Sequence, residues 1–282
     1  MNAKHGTARM RSLATELVKL RGEAGLNTRS AAKLVGMSAS TLNRLENGGK
    51  VIEPEDVSAL LVAYGVTGPD RDRLLNLSRE PHLPGWWETS GTPLPQQLPA
   101  LIRFESEATQ IIHASMLRVP GLMQTAEYAR AVMTSGDVTE PETETMVATR
   151  LGRQAILSRP KPPHYLAIID EAVLRRPVGG PEVMVSQVRR IMDLANRPHV
   201  EIRILPFSAG THTGLDGTYV ILEFFKARTI VYLEHKRSSL FLDEANEVAP
   251  FHEATDTLIH TALGPGDSLN FLGSVADDYG KG

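Results

Sequence analysis

Gly36-Met37-Ser38-Ala39-Ser40-Thr41-Leu42-Asn43-Arg44-Leu45-Glu46-Asn47-Gly48 is the stretch whose reading decides the fold. Gly36 can end one short helix in a turn, because glycine reaches the left-handed backbone region at little cost. Ser38 is suited to cap the helix that follows. That helix carries Ser40, Thr41, Asn43 and Arg44 on one side and Leu42 and Leu45 on the other. Upstream, residues 28–35 form a first helix, with Ala31, Ala32, Leu34 and Val35 as its expected packing face.

Two short helices crossing at a glycine turn, with small polar residues opening the second, make a helix-turn-helix unit whose second helix fits the DNA major groove. Working outward, five helical segments follow one another at 8–24, 28–35, 39–46, 54–64 and 69–78. Residues 1–50 hold nine Lys/Arg against Glu16, Glu23 and Glu46, which leaves +6 on a chain of net charge −3. A basic front on an acidic body is the polarity expected if only the front meets phosphate.

Within this unit Arg44 is the first choice for reading a base, since a guanidinium can bond guanine O6 and N7 together. Asn43 suits adenine, and Ser40 and Thr41 make short contacts. Thr28, Arg29, Ser38, Asn47 and Lys50 are the phosphate-contact candidates that fix register. Leu42, Leu45 and Glu46 hold the unit together and contact no base.

Residues 8–78 resemble the lambda repressor/Cro type of DNA-binding domain, also called the xenobiotic-response-element type. The resemblance is carried by Ser38-Ala39-Ser40-Thr41-Leu42-Asn43-Arg44-Leu45-Glu46-Asn47-Gly48, by Pro54-Glu55-Asp56-Val57, and by the run 59–66. One departure is that the family usually has Gln where Thr28 stands. Thr28 can cap the helix and donate to phosphate there, with Arg29 adding charge.

Composition sets outer bounds. A length of 282 residues suggests two domains. With 41% hydrophobic and 22% charged residues, the chain reads as an ordinary globular protein. The absence of cysteine excludes disulfides, thiolate metal sites and cysteine catalysis. There is no apolar run long enough to span a bilayer and no apolar core at the N-terminus. A cytoplasmic protein, nucleoid-associated when bound to DNA, is expected.

Residues 81–99 hold five prolines and both tryptophans, Trp86 and Trp87. Proline removes a backbone donor and disfavours helix before it, so this is a boundary. The domains are expected at 1–80 and 100–282, joined by this connector. The two tryptophans are expected to pin the domains together, with partner contact as the alternative.

Beyond it, Leu101, Phe104, Ala108, Ile111 and Ser115 recur at helical spacing, so one helix is expected over 100–117. Helices are also expected over 125–133, 140–158, 181–195, 249–263 and 268–279. Strands are expected over 164–169 and 200–206, and a hairpin over 217–234. The second domain thus reads as α+β, a small, mostly antiparallel sheet surrounded by helices, after an all-α five-helix first domain.

No catalytic constellation survives inspection. Asp170-Glu171 reads better as a helix cap and first-turn anion than as paired carboxylates. His235-Lys236 lacks the spacer that a phospholipase D type of site needs. His252 and His260 stand eight apart without metal-ligand spacing. The Gly/Thr/Ser loop 208–214 matches neither the phosphate-loop nor the dinucleotide pattern. No enzyme activity, metal or cofactor is expected.

The second half resembles the domain that follows the helix-turn-helix in WhiJ-like actinobacterial regulators. The matching stretches include Val119-Pro120-Gly121-Leu122-Met123-Gln124-Thr125, Asp170-Glu171-Ala172-Val173-Leu174-Arg175-Arg176, Ile204-Leu205-Pro206-Phe207-Ser208-Ala209-Gly210 and Gly217-Thr218-Tyr219-Val220-Ile221-Leu222. The resemblance implies a regulator whose second domain binds a small protein encoded by a neighbouring gene. The combined expectation is an autoregulatory repressor that binds double-stranded DNA at a palindromic operator as a homodimer, with no membrane contact. Two alternatives stay open: an antitoxin-like module that neutralises a neighbouring gene product, and a second domain that acts on or senses a small molecule.

Overall fold

The computed structural model describes residues 7–48, 52–79, 86–89 (backbone alone), 98–134, 139–235 and 238–281. Five helices open the chain: α1 (Ala8–Glu23), α2 (Thr28–Leu34), α3 (Ala39–Glu46), α4 (Pro54–Ala63) and α5 (Gly68–Arg79). They enclose Leu13, Leu17, Ala31, Leu42, Leu45, Ile52, Leu60, Leu61 and Leu74, each fully buried. At about 1.5–3 kcal/mol per buried large side chain, this cluster is the main support of a small helical unit.

Two local expectations are corrected. Asn27, not Thr28, caps α2, its Oδ1 accepting from Ser30 N at 2.9 Å. The carboxamide stands one residue earlier and places Thr28 in the first turn. Leu34, expected on the packing face, is 64% exposed. The helix ends there, and Ala31 and Ala32 alone make its buried face.

Strand β1 (Trp86–Thr89), which lies inside the proline-rich stretch, and α6 (Leu98–Glu107) come next. Strand β2 (Gln110–Ser115), α7 (Ala126–Met133), α8 (Glu140–Arg153), β3 (His164–Asp170), α9 (Glu171–Arg175) and α10 (Pro181–Ala195) follow. The chain continues through β4 (Val200–Leu205), β5 (Tyr219–Glu223), β6 (Ile230–Glu234), β7 (Ser238–Leu242), α11 (Ala245–Thr261) and α12 (Pro265–Gly280). The strands form one sheet in the order β1-β7-β6-β5-β2-β3-β4. Pairs β2–β3 and β3–β4 are parallel and the rest antiparallel, so the sheet is mixed.

The single helix expected over 100–117 is two elements. Helix α6 ends at Glu107, and Gln110–Ser115 is a strand paired on both sides, to β3 and β5. The side chains then alternate between the two faces. Ile111 joins a core with Tyr165, Ile202, Leu222 and Tyr232 on one face. Ile112 and Ala114 join Ile168, Ile221 and Val231 on the other, under Val248 and Leu258 of α11.

The first of these faces runs without a break into the helical domain, because α1 lies against α6. Arg11 is buried at the junction, its guanidinium 4.6 Å from the Phe104 ring centre and 4.4 Å from that of Phe224. It donates to Glu107 Oε2 at 2.8 Å. Arg103 donates to Glu107 Oε1 at 2.8 Å and to Thr15 Oγ1 and the Glu46 carbonyl, each at 3.2 Å. Ala8 N donates to Asp243 Oδ2 at 2.6 Å. Burial alone would push the Glu107 carboxyl up, but the hydrogen bonds from Arg103 and Arg11 outweigh it and hold the group below its usual range.

Candidate nucleic-acid interface

The turn between α2 and α3 is closed by backbone. Gly36 has φ 71°, and Met37 N reaches back to the Ala32 carbonyl at 3.0 Å, the six-to-one bond of a glycine-terminated helix. Ser38 then caps α3, its Oγ accepting from Thr41 N at 3.0 Å and sharing a 2.8 Å hydrogen bond with Thr41 Oγ1. Helix α3 presents two distinct sides. Leu42, Leu45 and Glu46 are buried, while Ser38, Ser40, Asn43, Arg44 and Asn47 are exposed and Thr41 is half-buried.

The buried side is fastened at its C-terminal end. Glu46 takes a two-pronged bond from Arg21 of α1, Nε to Oε1 at 2.6 Å and Nη2 to Oε2 at 3.1 Å. Arg21 also donates to the Leu26 carbonyl at 2.9 Å, so one guanidinium ties α1, the loop before α2 and α3 together. The planar fork of arginine suits this two-point contact. Gly48, at φ 65°, follows the helix where a Cβ would sit 3.3 Å from Arg11 Cγ.

Among the expected contact residues, the structure brings Arg29, Ser38, Ser40, Asn43, Arg44 and Asn47 to the surface, with Thr28 and Thr41 half-covered. Asn43 is partly engaged within its own helix, as Asn47 Nδ2 donates to its carbonyl at 2.7 Å and its Oδ1 at 3.2 Å. Lys50 lies outside the described residues. Trp86 and Trp87 are described only by their backbone, which pairs with Phe241 and Leu240 of β7 at the sheet edge.

The basic count over residues 1–50 shrinks in three dimensions. Arg11 and Arg21 are consumed by internal carboxylates, and Lys19 pairs with Glu23 at 3.7 Å. Arg29, Lys33 and Arg44 are exposed and have no ion pair among the described residues. Among the described residues, α2 and α3 therefore carry three exposed cations without an ion pair.

The other candidate groups have partners within the fold. Asp170 caps α9 by accepting from Ala172 N at 2.7 Å and stands 3.3 Å from His212 Nε2. Glu171 accepts from Phe207 N at 2.7 Å. His235 makes a turn through its backbone to Ser238, and His260 bonds the Asp256 carbonyl at 2.6 Å. His252 lies 3.9 Å from Glu223. In the loop 208–214, a Cβ at Gly214 would fall 2.5 Å from Met116 Cε, so the loop packs tightly onto the end of β2. Among the described residues no cluster of His, Asp or Glu has the makings of a metal site. No helix there is long and apolar enough to cross a membrane.

This geometry defines a helix-turn-helix protein, and residues 12–74 match a helix-turn-helix domain family. Residues 98–274 match a family described as a domain of unknown function, DUF5753, and the chain belongs to that family. No curated protein matches the chain.

Proposed function

We propose that the protein is a sequence-specific DNA-binding transcriptional regulator that lays α3 in the major groove. The observation that carries this reading is the two-sidedness of α3. Its C-terminal end is locked to α1 by Arg21–Glu46 and its outer side is uncovered, within a match to a helix-turn-helix family. Arg44 reads a guanine, Ser40, Thr41 and Asn43 make shorter base contacts, and Thr28, Arg29, Ser38, Asn47 and Lys50 hold phosphate. One small domain discriminates weakly, so two copies on a palindromic operator are part of the reading.

The division into a reader over 1–80, a connector over 81–99 and a control domain over 100–282 also belongs to this proposal. Repression of the protein's own operon, a small protein partner from a neighbouring gene, and the antitoxin-like alternative rest on resemblance alone. The test is a gel-shift titration on an enriched operator. Arg44→Ala should bind about 1–3 kcal/mol more weakly. Lys50→Ala should weaken all sequences alike and flatten the salt dependence. Equal affinity of Arg44→Ala and wild type would contradict the assignment.

A further inference from the structure

The second domain contains a partly enclosed cavity of about 120 Å³ on the sheet face that points toward α6. Its floor is His113 and Ser115 of β2, Val220 of β5, and Tyr232 and Glu234 of β6. Its walls come from α6, the turn at Gly121–Met123, and α8. It does not include Asp170 or His235.

Three guanidinium groups line it: Arg118, Arg150 and Arg153. Their charges are unequally matched. Arg153 is committed to Glu105, with bonds of 2.6 and 2.9 Å between two nearly buried side chains. Arg118 stands 3.9 Å from Glu234. Arg150 has no carboxylate within ion-pair distance among the described residues. Its Nη1 donates at 2.9 Å to the neutral Oε1 of Gln124.

Gln124 is itself pinned, donating to the Val119 carbonyl at 2.7 Å, so Arg150 is held rather than loose. Burial lowers its pKa to about 10, with Arg153 adding to the effect, and it stays protonated at neutral pH. His113 makes no hydrogen bond among the described residues and is kept neutral by burial and by Arg153 and Arg118, its pKa depressed to about 3. A charge removed from water without a counterion is costly, and an arginine fork is suited to a carboxylate or phosphate. The rest of the lining is mixed: Leu101, Leu122, Met133 and Met146 form an apolar side, while Thr149 and Thr218 add hydroxyls.

We infer that this cavity binds a small organic anion, its carboxylate or phosphate head on Arg150 and its apolar body against α6, α7 and α8. The cavity is smaller than the ~150 Å³ apolar cavity that accepts benzene, but it is only partly enclosed, so a short-chain or single-ring anion fits with part of its body at the mouth. Leu98, Leu101 and Glu105 place α6 in the wall, and Arg103 and Glu107 of the same helix grip α1 and the end of α3. An occupant that shifts α6 therefore alters the reader. That consequence rests on the DNA-binding reading, whereas the site does not.

The full chain, without DNA, is titrated with benzoate, phenyl phosphate and the neutral benzamide at millimolar concentration, followed by calorimetry and by NMR shifts of Arg150 and His113. At least one anion should bind, more tightly than benzamide, and which anion binds separates a carboxylate from a phosphate ligand. Arg150→Gln and Arg150→Lys, checked by thermal melting, should weaken it about tenfold or more and less than tenfold respectively. Arg130→Gln, on an exposed ion pair outside the cavity, should leave it unchanged. No shift with either anion, or equal binding of benzamide, would overturn the site. Anion affinity that does not change when operator is added would remove the link to α3 and leave the site standing.

Discussion

Single residues show both how much chemistry the sequence displays and where it misleads. The small polar set on α3 and the cap at Ser38 were legible, because capping and helical spacing are local effects. The cap of α2 was misplaced by one residue, since Asn27 and Thr28 are both able caps and only the backbone turn decides between them. The charge count misled more seriously. A tally of Lys and Arg cannot tell Arg11, buried beneath two aromatic rings, from Arg44, which faces solvent. Nor did any local pattern announce His113, whose environment is made by strands far apart in sequence. That histidine yields a pH prediction. Burial, with Arg153 and Arg118 adding to it, depresses its pKa to about 3 from the ordinary 6.5, so unfolding takes up a proton between those values. The stabilisation is complete above pH 6.5 and is lost as pH falls toward 3, with a slope of up to about 1.4 kcal/mol per pH unit. Melting curves from pH 7 to 5 should drop more steeply for wild type than for His113→Asn. Parallel curves would show that the ring is not held neutral.

At the scale of elements, the five N-terminal helices and α10 match their expected bounds nearly residue for residue. Helix α8 ends at Arg153, with a tighter turn over Gln154–Ser158 in place of the last stretch expected. Strands β5 and β6 are each shorter than the hairpin arms expected. Each of these elements has a strong period or a clear stop signal of its own. Residues 110–115 were not legible, and the reason is tertiary. Ile111 and Ser115 extend the helical spacing of α6, and no polar–apolar alternation marks a strand, so only pairing to β3 and β5 selects it. Strand β1 at the sheet edge and strand β7 beside it are not legible in the sequence, because four and five residues are too few to show a clear period. Helix α6 is the element that joins the two halves. Arg103 reaches from it to the carbonyl of Glu46 at the last turn of α3, where an incoming cation is favourable. Removing that side chain with Arg103→Ala should leave the helical domain folded. It should also raise the hydrogen-exchange rate over residues 43–48 severalfold. Unchanged exchange there would mean that α6 touches the reader without steadying it.

For the whole molecule, the order of the two domains could be read from the sequence, and their junction could not. The proline-rich boundary pointed to a division at residue 80, but Arg11, Thr15 and Ala8 of the first helix bond directly to the second half. A fragment of residues 1–80 should fold, since its leucines pack among α1–α5, although the same cluster continues into the second half. It should melt below the corresponding transition of the full chain, because Arg11 loses Glu107 and both rings. Circular dichroism of the fragment and the full chain compares them, and a fragment as stable as the intact protein would show the junction to be energetically empty. The central claim is that α3 reads DNA sequence. The most direct test is to sequence the DNA that the full-length protein retains from a random pool, for wild type and for Arg44→Ala. Wild type should enrich a two-fold symmetric motif, and Arg44→Ala should lose the preference at one base pair of each half-site while keeping the rest. The same motif from both proteins, or no motif from wild type, would contradict the account.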